Sequence, residues 1–161
     1  MTTYLKEDFL YDADLVLEDS LDTDGAPAAI AGAGSYAGSV LAVDTVIDVG
    51  DGLVEGYMIV DVDAIVVDAD ALYAITLQGN NDGDFAAATA YDLAQVNIGA
   101  GESLFNATPA TDVGAAGSRF VVPFRNEQDG TVYRYVRAYQ TLSGDTDTAS
   151  ITDTIWLSIK R

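Results

Sequence analysis

A chain of 161 residues fits one domain able to bury a sizeable core, and with 49% hydrophobic and 20% charged residues it is expected to fold rather than stay disordered. Its 26 acids against 7 bases give a formal charge of -19, which disfavours nucleic acid and anionic membranes as partners, because phosphate binding needs clustered Lys and Arg. Without His or Cys the chain has no imidazole base, thiol nucleophile, thiolate metal site or disulfide. That inventory points to binding or holding rather than catalysis, and no cofactor is expected.

Met1 to Lys6 runs into Glu7 and Asp8 without an apolar stretch, so no secretory leader is expected. Residues 1–20 mix Tyr4, Leu5, Phe9, Leu10, Tyr11, Leu15, Val16 and Leu17 with acids. Two readings stand side by side. One is an ordinary first strand at Leu15–Leu17 behind a frayed terminus. The other is an arm over residues 1–14 that carries apolar side chains to another chain and orders on contact, with a single domain over 15–161. Residues 24–39 form a Gly/Ala-rich loop with little to offer a core, and Gly25 to Val43 is too weakly apolar to span a membrane.

Strand patterns then recur. Leu41, Val43, Ile47 and Val49 alternate with Asp44, Val46 and Asp48 up to Gly50-Asp-Gly52. Met58, Val60 and Val62 alternate with Tyr57, Asp61 and Asp63, and Ile65 to Val67 continues the run across a register-shifting bulge after Ala64. Tyr73, Ile75 and Leu77 form a short strand ended by Gly79-Asn-Asn-Asp-Gly83. The Ala-rich segment Phe85–Ala94 suggests a short helix. Phe120, Val122 and Phe124 form a strand whose Pro123 marks an edge or a strand end. Val132–Gln140 and Ile151–Ile159 are separated by a Gly/Asp/Thr/Ser turn and read as a long antiparallel hairpin. Ile155, Leu157 and Ile159 fall on the core face of its second strand, with Trp156 facing outward. The expected fold is an all-β antiparallel sandwich with little helix.

Charge is uneven along the chain. Residues 1–118 hold 21 of the 26 acids and only Lys6 among the bases, whereas residues 119–161 hold six bases and five acids. Late strands that simply lie beside acidic ones inside the sandwich would account for this. The sharper alternative is a mildly basic face that meets an acidic face of another chain.

Several motifs imitate known chemistry. Gly32-Ala-Gly34-Ser-Tyr-Ala-Gly38 lacks the strand before and helix after that a dinucleotide loop requires. Asp22-Thr-Asp24-Gly25 and Asn80-Asn-Asp82-Gly83 suggest calcium loops, yet Ala31 and Thr89 stand where a bidentate Glu belongs, so turn chemistry is the expectation and a looser oxygen cage the alternative. Asn106-Ala-Thr108 matches a glycosylation sequon by chance. Paired acids (Asp61/Asp63, Asp68/Asp70, Asp145/Asp147) mean little in so acidic a chain, since acid–base catalysis needs one carboxyl desolvated beside another kept ionised. Tyr133, Tyr135, Arg137 and Tyr139 line one face of their strand. This is either an aromatic–Arg ladder packed inside the sandwich or a sugar-stacking platform, the latter giving a carbohydrate-binding module as the alternative function.

The order of these segments resembles the jelly-roll group of capsid cement, or decoration, proteins of tailed bacteriophages. Leu15-Val-Leu-Glu-Asp-Ser20 resembles the opening segment, and Val46-Ile-Asp-Val-Gly50 the next short strand with its Asp-x-Gly end. Ile75-Thr-Leu-Gln-Gly79 with Asp82 and Phe85 resembles the following strand and turn, while Arg119-Phe-Val-Val-Pro123 and Tyr135-Val-Arg137 through Gly144 resemble the late strands. The stretch Gly25–Gly38 and the strong acidity depart from the family pattern. The resemblance implies a jelly-roll sandwich without enzymatic activity, bound to the outer surface of the virion after synthesis in the host cytoplasm. Its partners would be the major capsid protein, across neighbouring copies of which it clamps, and itself as a homo-oligomer, a dimer ahead of a trimer. Candidate contact residues, chosen as apolar arm groups plus the outward indole, are Tyr4, Leu5, Phe9, Leu10, Tyr11 and Trp156.

Overall fold

The computed structural model describes residues 16–24, 29–31, 46–67, 70–85, 90–101, 104, 112–143 and 149–159. Eleven strands are formed by these residues: β1 (Val16–Asp24), β2 (Ala29–Ala31), β3 (Val46–Asp48), β4 (Glu55–Val66), β5 (Leu72–Asn80), β6 (Tyr91–Gly99), β7 (Arg119–Arg125), β8 (Glu127–Gln128), β9 (Thr131–Val132), β10 (Tyr135–Ser143) and β11 (Ser150–Ile159). Sheet A has the order β1-β11-β4-β7 and sheet B the order β2-β10-β5-β6, with β3 also on β10; β8 and β9 form a separate small hairpin. Every strand pair is antiparallel. The all-β sandwich expected from alternation is what the chain forms.

The two sheets pack through their alternating faces. Met58, Val60 and Val62 of β4 meet Ile155 and Leu157 of β11 in sheet A, and Ile75, Leu77, Val136 and Ala138 line the facing side of sheet B; all are at most 1% exposed. Ile159 is half-buried against this cluster. Removing such a side chain from water contributes about 1.5–3 kcal/mol, so period-two alternation suffices to orient the regular stretches of β4, β5, β10 and β11.

Irregularities set the register, two of them in β1 against β11, between Val16 and Glu18 and between Glu18 and Leu21, and one each in β4 and β6. Thr152 pairs with Ala64 but Asp153 pairs with Val62, so Asp63 is an extra residue in β4. The inward positions therefore change from even numbers up to Val62 to odd numbers at Ile65, the bulge that the sequence implied. In β6 the extra residue is Leu93, between the pairs Leu77–Ala94 and Gln78–Asp92. Pro123 lies in β7, which is an edge strand as expected.

Three expectations are corrected. β10 and β11 do not form a hairpin; β10 lies in sheet B and β11 in sheet A, and they face each other across the core. Alternation reports which side of a strand is buried, and a facing strand satisfies it as well as a paired one. The helix expected over Phe85–Ala94 is absent at its C-terminal end, where Tyr91–Ala94 starts β6. The strand expected over 41–49 needs no correction: it is present at Val46–Asp48, and its earlier part lies outside the described residues. The loop expected over 24–39 is corrected in part, since Asp24 ends β1 and Ala29–Ala31 forms β2 against Tyr139, Gln140 and Thr141 of β10; residues 25–28 and 32–39 and the arm expected over 1–14 lie outside the described residues.

Gly56 permits a close approach between β4 and β11. A Cβ there would sit 2.3 Å from the carbonyl oxygen of Ser158 and 3.1 Å from the Phe124 ring. Gly56→Ala is expected to lower stability by about 1–3 kcal/mol. A denaturation midpoint equal to wild type would contradict this packing.

Candidate interaction surface

The outer face of sheet B is built by register. Tyr135, Arg137 and Tyr139 alternate with buried Val136, Ala138 and Gln140 along β10. Opposite them on β5 stand Asn80, Gln78 and Thr76, and on β6 Asp92 and Gln95 lie opposite Gln78 and Thr76. The central row is bonded from end to end. Arg137 Nε and Nη2 donate to Gln78 Oε1 at 3.2 and 3.0 Å, and Gln78 Nε2 donates to Asp92 Oδ1 at 3.1 Å. The Arg137 guanidinium lies 4.3 Å from the Phe85 ring centre and 5.6 Å from that of Tyr139. The aromatic–Arg ladder therefore exists, but on the outer face and not inside the sandwich as expected.

Tyr133 does not belong to that face. Its ring is 5% exposed and stacks on Tyr91 with centroids 5.1 Å apart. The chain leaves strand geometry between β9 and β10, so the parity of β10 does not extend back to residue 133. A sugar platform needing all three tyrosines on one open face loses one of them.

The turn after β5 ties this face together. Phe85 adopts φ 54°, and its N–H donates to the Asp82 carbonyl. Asn80 Oδ1 accepts from the Asp82 amide, Asn81 Nδ2 donates to the Val132 carbonyl, and Asn81 Oδ1 accepts from the Arg134 amide. The oxygens considered for a cation cage at Asn80 and Asn81 thus serve backbone amides. Among the described residues no three acidic side chains converge.

Trp156 differs from expectation. It lies on the outer side of β11, as alternation requires, yet is 2% exposed and so presents no surface in this structure. Its Nε1 donates to Asp61 Oδ2 at 3.1 Å, and the Arg119 guanidinium stands 5.8 Å from its ring. Alternation assigns a face, and what else packs on that face decides exposure. Burial raises the Asp61 pKa, but hydrogen bonds from Arg119 and Trp156 more than offset it and leave the carboxyl below its ordinary value. Tyr4, Leu5, Phe9, Leu10 and Tyr11 lie outside the described residues. Large hydrophobics exposed elsewhere are Leu53, Val66, Tyr91 and Val121.

The uneven charge is resolved mainly inside the molecule. Arg119 pairs with Asp61, Arg125 with Glu55 and Glu127, and Arg134 with Asp48 and Asp51. Asp61–Arg119 and Glu55–Arg125 are directly opposed residues at the two ends of the β4–β7 pair. Hydrogen bonds from Arg134, then from the Gly50 amide, hold Asp48 below the usual carboxylate range. At the exposure of these groups such pairs contribute little stability.

One acid was missed. Asp153 is fully buried between the sheets, and both its oxygens accept from Gln140 Nε2, at 2.9 and 3.0 Å. Burial raises its pKa to about 7; the Gln140 bond opposes that shift and the charge of Asp63 adds to it. The signal was legible, because Asp153 takes an odd position between Ile151 and Ile155 on the core face of β11. With no exposure, its carboxyl cannot meet a substrate.

Near the β4–β7 end a groove of about 380 Å³ is lined by Tyr57, Leu93, Pro123 and Phe124, with Glu55, Arg125 and Glu127 at its polar side. The carboxylates there are tied to Arg125. No protein-family model matches this chain, and no curated protein matches it.

Proposed function

We propose that this protein is a non-enzymatic cement protein of jelly-roll type that binds the outer surface of a bacteriophage capsid as a homo-oligomer and links neighbouring major capsid proteins. The carrying observation is how the family-like segments fall on the fold. Strand pairs nest outward from β5–β6 to β4–β7, then β10 with β3 and β2, then β1–β11, alternating between the sheets. Nested pairing of this kind supports a jelly-roll reading. The segments that resemble cement proteins lie in that order on β1, β3, β5 with the turn to Phe85, β7 and β10.

A holding role agrees with the chemistry present. The desolvated carboxyl of Asp153 is sealed in the core, and the outer faces formed by the described residues carry a ladder and ion pairs. Contacts that exist only between assembled subunits stabilise a shell by mass action, and repetition around the shell multiplies weak contacts.

The test adds purified protein to shells lacking it and measures occupancy at low and high salt. Saturable binding that persists in high salt is expected, because the chain has too few bases to neutralise much acidic surface and apolar contact must dominate the affinity. Shells that stay bare at both salt concentrations refute the reading.

A further inference from the structure

Four arginines are described, and three end on carboxylates. Arg137 does not. Among the described residues none places a carboxylate within ion-pair distance of it. Its guanidinium is half-buried, gripped along the Nε–Nη2 edge by Gln78 and flanked by Phe85 and Tyr139. The Nη1 side has no acceptor among the described residues. Holding the fork in one orientation removes most of the entropy that an arginine loses when a carboxylate closes on it. A partly desolvated cation without a counter-charge is costly, and a bidentate carboxylate offsets that cost.

We infer that Arg137 anchors a protein–protein contact on the outer face of sheet B, and that its occupant is an Asp or Glu side chain of a second copy of this chain. Charge complementarity selects the occupant. With 26 acids and 7 bases, a second copy offers carboxylates widely, including exposed Asp129 at the β8–β9 turn. The net charge of -19 on each copy opposes approach at long range. At about 0.15 M salt that repulsion is screened beyond roughly 8 Å, so only the acids close to the interface weigh against the contact. The inference rests on the homo-oligomer part of the proposed function and needs no capsid, so its failure is separable from failure of shell binding.

Sedimentation of the full chain over a range of concentrations near physiological salt tests it, comparing wild type with Arg137→Gln and Arg137→Lys. Wild type is expected to self-associate, Arg137→Gln to weaken association by about tenfold or more, and Arg137→Lys to fall between them. Independently of any variant, the Nε–H resonance of Arg137 should move as wild type associates. Monomeric wild type, unaltered association in folded Arg137→Gln, or a resonance that stays fixed during association each overturns the proposal. If Arg137→Gln fails to fold, Arg137→Lys and the resonance decide. A resonance that moves with added glucuronate in a protein that remains monomeric overturns it in favour of a saccharide carboxylate.

Discussion

Asp153→Asn is expected to raise stability near pH 8 and to leave it almost unchanged near pH 4. The folded protein holds the Asp153 carboxyl at a pKa of about 7, against 3.8 for an ordinary aspartate, mainly through burial, with Gln140 opposing and Asp63 adding. A raised acid contributes its stability fully below the unfolded value and loses it as pH climbs through the folded value. The loss for wild type therefore runs between about pH 4 and about pH 7. At 1.36 kcal/mol per pH unit its ceiling is on the order of 4 kcal/mol. Asparagine keeps the size and the acceptor for Gln140 Nε2 while carrying no charge. For a chain of this size, two or three kcal/mol recovered corresponds to a melting rise of roughly 5–10 °C. Repulsion among the other acids also grows with pH, so the informative quantity is the difference between variant and wild type. A difference that is flat from about pH 4 to about pH 8 would show that Asp153 does not titrate in the folded state.

Asn126→Ala is expected to be among the most damaging single changes in the chain, costing about 3–5 kcal/mol. Asn126 is completely buried. Its Nδ2 donates to the carbonyls of Gly52 and Tyr133, both at 2.9 Å, and its Oδ1 accepts from the Val54 amide at 2.7 Å. Its own amide donates to Val54, and its own carbonyl accepts from Tyr133. One side chain thus joins the segment leading into β4 to the exit of the β8–β9 hairpin. Alanine leaves a part-buried donor at Val54, a part-buried acceptor at Gly52 and a buried acceptor at Tyr133 without their partner. Asn126→Asp changes only nitrogen to oxygen, but points a carboxylate at two carbonyls. It is expected to be at least as harmful at neutral pH and partly relieved in acid, where a protonated carboxyl can donate once. Denaturation midpoints and exchange of the Val54 and Tyr133 amides measure the effect. A loss below about 0.5 kcal/mol would mean that water replaces all three bonds.

Most of the sandwich was legible because its strands obey period two. Met58 to Val62, Tyr73 to Leu77 and Ile155 to Leu157 give their inward faces directly, and the break at Asp63 is visible as two alternations out of phase. β6 was harder, since the bulge at Leu93 disrupts its alternation just where an Ala-rich run suggests helix. Strand pairing was the least legible feature. β10 and β11 follow each other after a short connection, yet belong to opposite sheets, and nothing in alternation distinguishes a hydrogen-bonded neighbour from a facing one. The candidate site suffered from the same limit. Trp156 was assigned to its face correctly but not its burial, and Tyr133 was given the parity of a strand that begins after it. Asp153 shares the odd parity of Ile151 and Ile155, so its burial was legible although its Gln140 partner was not, whereas Asn126 lies between strands, where no alternation marks it as buried.

The charge pattern was half resolved by sequence. Its milder reading accounts for Arg119, Arg125 and Arg134, each paired with acid. Asp61 and Glu55 sit opposite their partners only because β7 pairs with β4, a register that composition does not contain. Arg137 is the residue for which the sharper reading, a contact with an acidic face, still has something to explain.

The most direct test of the cement reading is a reconstruction of the assembled particle that carries this protein. The sandwich is expected on the outer surface, in more than one copy per contact, touching at least two neighbouring capsid subunits. Density inside the shell, a position touching a single subunit, or a particle that lacks the protein altogether would contradict it.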